Sequence, residues 1–330
     1  MKNWTTYIFD EESRFDDKAL TVFDYQYQNN AVYQRFCDAL GRTPETISQY
    51  REIPLFPIRG FKETNISCIP ERDAELEFRS SGTSGMERSR HYVADANLYR
   101  QSLLKGFSHF YPLEDLVIWG YTPGYNENPQ SSLIWMINEL IRQDESGMSR
   151  FLELNQPLNE QEIKNVKNSG KRLMIFGAAF GLLDLVELKK VKLPQGSYIM
   201  ETGGMKTHRR EISRYELHRK LSDGFHLPKE QVHSEYGMTE LLSQAYALGG
   251  KWFTPVPWME VSIFDTDDPL KRLHEGEEGL IGMTDLANVH SCSFILTGDK
   301  GVQRRDGKFQ VLGRWEPKNL RGCNFLVEQE

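Results

Sequence analysis

No apolar run in this 330-residue chain approaches the ~20 residues that a membrane-spanning helix needs. The opening stretch, "MKNWTTYIFDEESRFDD", is acidic and lacks the apolar core of a secretory signal. Cysteine is scarce: Cys37, Cys68, Cys292 and Cys323 are scattered and form no C-x-x-C pair, which suits a reducing compartment. Positive charge is short as well. With 40 Lys and Arg against 47 Asp and Glu, the formal net charge is −7, whereas a nucleic-acid partner calls for concentrated cations. These absences lead to the expectation of a cytoplasmic, soluble protein with no membrane span and no nucleic acid as its main partner.

What is present is a chain long enough for one large domain or two ordinary ones, with 39% apolar and 26% charged residues. Helices are expected around 16–28 and 30–40, followed by "REIPLFPIRGFKE", whose prolines mark an extended connection. Strand and helix then alternate. "DANLYRQSLLKGFSHFY" reads as a helix capped by Asp95, with Tyr99, Leu103, Phe107 and Phe110 on one face. "DLVIWG" reads as a buried strand and "SSLIWMINELI" as a helix. "NEQEIKNVKNSG" is a helix opened by a capping box of Asn159 and Glu162. "RLMIFG", "GSYIMETGG" and "QVHSEYG" read as strands, separated by the helices "AAFGLLDLVELKK" and "RREISRYELHRKLSDG". This rhythm implies a mostly parallel sheet covered on both faces. From about Gly249 the segments "KWFTPVPWMEVSIFD", "GLIGMTDL", "SCSFILTGD" and "KFQVLGR" read as short strands of a smaller β-rich, barrel-like part.

Each expected parallel strand runs into glycine, at Gly120, Gly177, Gly203–Gly204 and Gly237. Ligands of open α/β sheets sit beyond the carboxyl ends of the strands, so four such glycines favour a cleft there over simple chain turning. The segment "EFRSSGTSGMERSRHYV" packs small residues from Ser80 to Gly85 ahead of Arg88. It is not a Walker A loop, since no lysine follows Gly85, and neither a G-x-S-x-G elbow nor a G-x-G-x-x-G turn is present. Its hydroxyls, glycine-freed amides and guanidinium suit an anion, and a plain solvated loop is the competing reading. His208, His218, His226 and His233 have spacings that match no metal template and are expected on the surface or in packing. Cys37 and Cys292 read as packing residues. "LVIWGYTPGY" and "MIFGAAFGLL" suit either an acyl tunnel or ordinary core.

"SSGTSGMER" resembles the phosphate loop of adenylate-forming enzymes, the superfamily of acyl-CoA synthetases, luciferases and peptide-synthetase adenylation domains. Glu87 and Arg88 stand where that pattern has proline and lysine. Further matches follow in the family's order: "METGGMK" (200–206) resembles the adenine-pocket turn, "SEYGMTE" (234–240) the Y-G-x-T-E motif, "FILTGD" (294–299) the T-G-D motif and "GRWEPKNLRG" (313–322) the hinge motif. "FPIRGFK", "GGMK", "YGMTE" and "RGCNF" are similar to the acyl-protein synthetases of bacterial luminescence systems.

The resemblance implies an adenylate-forming large domain: a layered α/β sheet plus a small β-rich barrel subdomain. Its expected parts are a mixed, helical segment at 1–78, a nucleotide-binding core at 79–248 and the β-rich part at 249–312. A hinge remnant and tail follow at 313–330. It implies ATP- and Mg²⁺-dependent activation of a fatty or aromatic acid as acyl-adenylate, then transfer to a thiol, with AMP released. Ser81, Gly82, Thr83, Ser84, Gly85 and Arg88 would hold the outer phosphates, Gly203 and Gly204 would line the adenine pocket, Tyr236 would stack on the base and Gly237 would belong to the same nucleotide site. Thr239 would reach the α-phosphate, Glu240 would ligate Mg²⁺, and Asp299 with Arg314 would hold the ribose. The sequence runs eight residues past Gly322, so the family's C-terminal lid and its lysine are expected to be missing, with Lys206 as the candidate substitute. The thiol is expected to be that of CoA, of a carrier protein or of Cys323. Two alternatives stand beside this reading: an AMP-forming acyl-CoA ligase, and an inactive nucleotide- or acyl-binding subunit of a larger complex.

Overall fold

The computed structural model describes residues 2–80, 88–123, 128–188, 192–203 and 212–315. Three helices come first, α1 (Trp4–Ile8), α2 (Phe15–Asn29) and α3 (Ala31–Ala39), and Asn30 caps the third by accepting from the Tyr33 amide at 3.1 Å. The proline-rich connection is not merely extended. It holds a two-residue strand β1 (Phe56–Pro57) and a one-turn helix α4 (Gly60–Glu63), then a hairpin of β2 (Leu76–Arg79) and β3 (Arg90–Val93).

The alternating region follows the expected order. Helix α5 (Ala96–Ser108) starts at Asp95, whose carboxylate accepts from the Leu98 amide at 2.9 Å. Then come β4 (Leu116–Tyr121), α6 (Ser132–Ile141), β5 (Arg150–Phe151), α7 (Glu160–Asn168), β6 (Arg172–Ala178), α8 (Ala179–Leu188), β7 (Tyr198–Thr202), α9 (Arg214–Phe225) and β8 (Val232–Tyr236). The capping box at α7 is only half made. Asn159 accepts from Gln161 and Glu162, but the Glu162 carboxylate pairs with Arg150 instead of turning back to the cap. An ion pair to the neighbouring strand wins over a local bond.

Among the described residues, the main sheet has seven strands. Its core, β5–β4–β6–β7–β8, is parallel. Beyond β8, the sheet continues antiparallel through β9 (Ala245–Ala247) and β10 (Thr254–Pro255). Side chains alternate across it. Val117, Trp119, Ile175, Ile199 and Val232 meet Leu182, Leu217, Leu221 and Phe225 on one face. Ile118, Met174, Phe176 and Met200 meet Leu103, Phe107, Met136 and Ile137 on the other. Burial of both faces is why these strands read as continuous apolar runs. "LVIWG" and "MIFG" are sheet core by these contacts.

The remaining strands, β11 (Met259–Phe264), β12 (Glu278–Asp285), β13 (Phe294–Gln303) and β14 (Phe309–Arg314), form a second sheet with β1. β13 pairs with β12 along its length, with β1 near its start and with β14 towards its end. The N-terminal helices cover this sheet. Tyr33 stacks on Phe294 with ring centroids 6.1 Å apart, and the Gln26 amide donates to the Asn288 and Val289 carbonyls at 3.0 and 2.9 Å. Among the described residues, no helix is long and apolar enough to cross a membrane.

Candidate active site

The carboxyl ends of β7 and β8 bring the expected motifs together. β7 ends at Thr202 and is followed by Gly203, which is exposed at φ +80°, a left-handed conformation that glycine adopts without steric cost. Not every glycine at these ends serves a cleft. Gly120 lies inside β4, and a Cβ on Gly177 would come within 2.1 Å of the Tyr121 carbonyl oxygen, so these two allow close packing of strands.

β8 delivers Tyr236, and a short loop carries the chain through Gly237, Met238 and Thr239 to Glu240. Tyr236 is 9% exposed, with its ring packed on Phe253 and Phe309 at centroid distances of 5.8 and 5.4 Å. Its hydroxyl donates to Asp299 Oδ2 at 2.9 Å, while Arg314 Nε lies 3.0 Å from Asp299 Oδ1. Asp299 and Arg314 face each other across the β13–β14 pair. Residues 63 positions apart thereby form one cluster at the junction of the two sheets. Burial raises the Tyr236 hydroxyl's pKa, and the Asp299 carboxylate adds to it, which keeps the hydroxyl a donor. Each Asp299 oxygen already accepts one contact, and each retains a further lone pair for a ligand hydroxyl.

Glu240 is 6% exposed. Burial raises its pKa, and a hydrogen bond from Ser89 together with the charges of Arg314 and Lys62 opposes that shift. Ser89 Oγ donates to Oε1 at 2.5 Å. Main-chain contacts hold the same segment: His91 Nδ1 lies 2.8 Å from the Thr239 carbonyl oxygen, and Asn288 Nδ2 donates to the Glu240 carbonyl at 2.6 Å. Because Nδ1 must donate to that carbonyl, the His91 proton sits there. Burial pulls the ring down to about 4, so it is neutral at pH 7.

Beneath Gly203 lies a buried polar group that the sequence reading did not single out. Glu201 Oε1 accepts from Ser234 Oγ at 2.5 Å and is 3.3 Å from His218 Nε2 and 3.4 Å from Arg214 Nε. Thr202 donates to Glu235 Oε2, and burial, with Glu201 nearby, pushes Glu235 up to about 7. Strand register explains both pairs: Glu201 faces Ser234 on one side of the sheet and Thr202 faces Glu235 on the other, and both sides are buried. His218 and His233 are accounted for by packing, the latter 2.7 Å from the Tyr111 hydroxyl and 2.9 Å from the Glu230 carbonyl. Cys37 and Cys292 are buried with raised thiol pKa values, as packing residues should be.

Arg88 is exposed where β3 begins. Ser81, Gly82, Thr83, Ser84, Gly85, Gly204, Lys206 and Cys323 lie outside the described residues.

The model of the LuxE acyl-protein synthetase family matches residues 5–107 and 138–330. This chain belongs to that family. It is 24% identical over 332 residues to a long-chain-fatty-acid–luciferin-component ligase of Vibrio harveyi, covering 93% of this chain and 85% of the relative. A ligase of the same description from Aliivibrio fischeri is 24% identical over 343 residues, covering 96% and 88%. Among solved structures, 2-hydroxyisobutyryl-CoA ligase with 2-HIB-AMP and CoA superposes with a TM-score of 0.65 at 13% identity, over 90% of this chain and 67% of that one. ATP-bound MatB from Rhodopseudomonas palustris gives 0.52 at 14% identity, over 74% of this chain. The match spans about half of MatB's length (49%). The fold is therefore that of the adenylate-forming ligases. Membership in the LuxE family makes the chain a ligase of the acyl-protein synthetase type, which activates a carboxylic acid as acyl-adenylate and passes the acyl group to a thiol.

Proposed function

We propose that this chain activates a long-chain fatty acid with ATP and Mg²⁺ and delivers the acyl group to a protein-borne thiol. The observation that carries the nucleotide site is the Tyr236–Asp299–Arg314 cluster, set beside Glu240 and the Gly203 turn. A carboxylate oxygen of the acid attacks the α-phosphorus, and the bond to the bridging oxygen breaks. Pyrophosphate leaves and acyl-adenylate remains. A thiolate then attacks the acyl carbon, the carbon–oxygen bond to AMP breaks, and a thioester forms.

The chain's residues take the following parts in this reading. Asp299 accepts from the ribose hydroxyls with its remaining lone pairs, and Arg314 holds the carboxylate in place. The base rests on the exposed remainder of Tyr236 and beside Gly203, Gly204 and Gly237. Thr239 donates to the α-phosphate, while Ser81, Gly82, Thr83, Ser84, Gly85 and Arg88 hold the departing phosphates. Lys206, after the glycine turn, places its ammonium against the α-phosphate. Glu240 fits Mg²⁺ by donor type, a hard carboxylate oxygen, and the cation's charge would offset the burial that raises its pKa. Bound there, Mg²⁺ would neutralise charge developing on the phosphates.

ATP–pyrophosphate exchange across a panel of carboxylic acids tests the activation step. Acid-dependent exchange is expected with long-chain acids, falling about 10²–10³-fold in Arg88→Ala, as for loss of one donor to developing charge. Lys206→Met should slow exchange with ATP affinity nearly kept. Incubation with ATP, Mg²⁺ and radiolabelled acid should leave hydroxylamine-labile label on the chain. Cys323→Ser should abolish that label while exchange survives. Absence of acid-dependent exchange for every acid would defeat the reading. Acylation of free CoA without labelled chain would favour the acyl-CoA ligase alternative, and label that persists in Cys323→Ser would move the acceptor elsewhere.

A further inference from the structure

Ser89 makes three directed contacts at once. Its amide donates to Ser80 Oγ at 3.0 Å, and its carbonyl accepts from the Ser80 amide at 3.1 Å. These two bonds close the neck of the segment between β2 and β3. Its hydroxyl, fully buried, donates to Glu240 Oε1. The other contacts on that segment come from the same region and from the second sheet: His91, two residues along β3, engages the Thr239 carbonyl, and Asn288, after β12, engages the Glu240 carbonyl. Asn288 is itself tied down, since its amide also donates to the Cys292 carbonyl at 2.9 Å. Two consecutive carbonyls and one carboxylate are thus gripped from two sheets. On an unheld loop Glu240 would sample many rotamers, and this grip removes that freedom.

We propose that Ser89 is a positioning residue that ties the paired Ser80 and Ser89 to Glu240, with His91 and Asn288 holding the backbone on which Glu240 is mounted. The inference rests on the ligase reading above. By engaging Oε1, Ser89 sets the orientation of the carboxylate that would hold the cation. Groups that orient a metal's ligands are worth about 10–100-fold in metal affinity or activity.

The test is a double-mutant cycle between Ser89 and Glu240, read two ways: acid-dependent pyrophosphate exchange, and Mn²⁺ binding in the presence of ATP followed by electron paramagnetic resonance. Ser89→Ala should lower the exchange rate by about 10–100-fold and weaken Mn²⁺ binding by a similar factor, within the range set by such orienting groups. Ser89→Thr, which keeps the hydroxyl, should stay within a few-fold of wild type. In a Glu240→Gln background, Ser89→Ala should add almost nothing, because its effect runs through the carboxylate. Ser222→Ala removes a buried hydroxyl that donates to the Leu227 carbonyl at 2.6 Å, away from this site, and should move neither readout. Full additivity of Ser89→Ala and Glu240→Gln would overturn the inference, as would Ser89→Ala binding Mn²⁺ as wild type does. If Ser89→Ala fails to fold, Ser80→Ala perturbs Ser89 from the loop side. It is expected to weaken Mn²⁺ binding, and an unchanged affinity would equally overturn the inference. The Mn²⁺ arm needs no turnover, so wild type that binds Mn²⁺·ATP through Glu240 without exchange would defeat the ligase reading alone.

Discussion

Replacing Glu235 with Gln should stabilise this protein increasingly as pH rises. Glu235 is buried beside Glu201 and accepts from Thr202. Burial first, and then Glu201, push its pKa from 4.5 to about 7, although the Thr202 bond works the other way. The unfolded chain releases this proton at lower pH than the folded one. The stability associated with the protonated form is therefore fully present below about 4.5 and is lost as pH rises through about 7. At 1.36 kcal/mol per unit, the loss is about 1 kcal/mol at pH 5 and about 3 kcal/mol at pH 8. Glu235→Gln keeps the shape and an acceptor for Thr202 but carries no charge. The stability difference, variant minus wild type, should therefore increase by about 2 kcal/mol between pH 5 and pH 8. Urea unfolding followed by circular dichroism at pH 5, 6, 7 and 8 measures it, and titrations common to both proteins cancel in the difference. A difference that does not change with pH, or a wild type that gains on the variant at pH 8, would refute the assignment of a raised pKa to this burial.

His91 should show the opposite slope. Its ring is held neutral by burial, down at about 4 from 6.5, so the stability it contributes is present above 6.5 and disappears as pH falls towards 4. His91→Gln should lack that acid loss, which amounts to about 3 kcal/mol, in the same urea titrations; parallel curves for the two proteins from pH 7 to pH 4 would refute it. At the nucleotide cluster, Asp299→Ala should reduce ATP affinity and also strand the buried Tyr236 hydroxyl, costing about 1–3 kcal/mol of stability. Calorimetric titration with ATP and thermal unfolding separate the two effects, and ATP affinity equal to wild type would remove Asp299 from the site.

Much of the architecture was readable because local rules and tertiary burial agreed. Asp95 and Asn159 cap the helices where their side chains reach the next free amides, and that geometry depends on a few consecutive residues. The parallel strands were legible because burial on both faces leaves an unbroken apolar run. β5 and β9 were not, since two or three residues carry no periodicity, and β10 lies in a segment read as a strand of the smaller part although it pairs with β9 in the main sheet. Glu162 shows the same limit: its spacing from Asn159 fits a capping box, but Arg150 on an adjacent strand takes the carboxylate.

The functional site divides along the same line. Tyr236, Thr239, Glu240, Asp299 and Arg314 sit in motifs whose residue types and order mark them along the chain. By itself the sequence therefore determined the family's chemistry and the strand–helix order, and it marked the side chains proposed to bind ligand. Only the tertiary structure decided what holds those atoms in place. Ser89 meets Glu240 across 151 residues and Asn288 meets it across 48, and Asp299 reaches Tyr236 only where two sheets join. A serine and an asparagine are unremarkable in a one-dimensional reading, since their hydroxyl and amide serve turns and caps throughout the chain. They become specific when burial removes competing water, so that each donor must be satisfied by the few acceptors it faces.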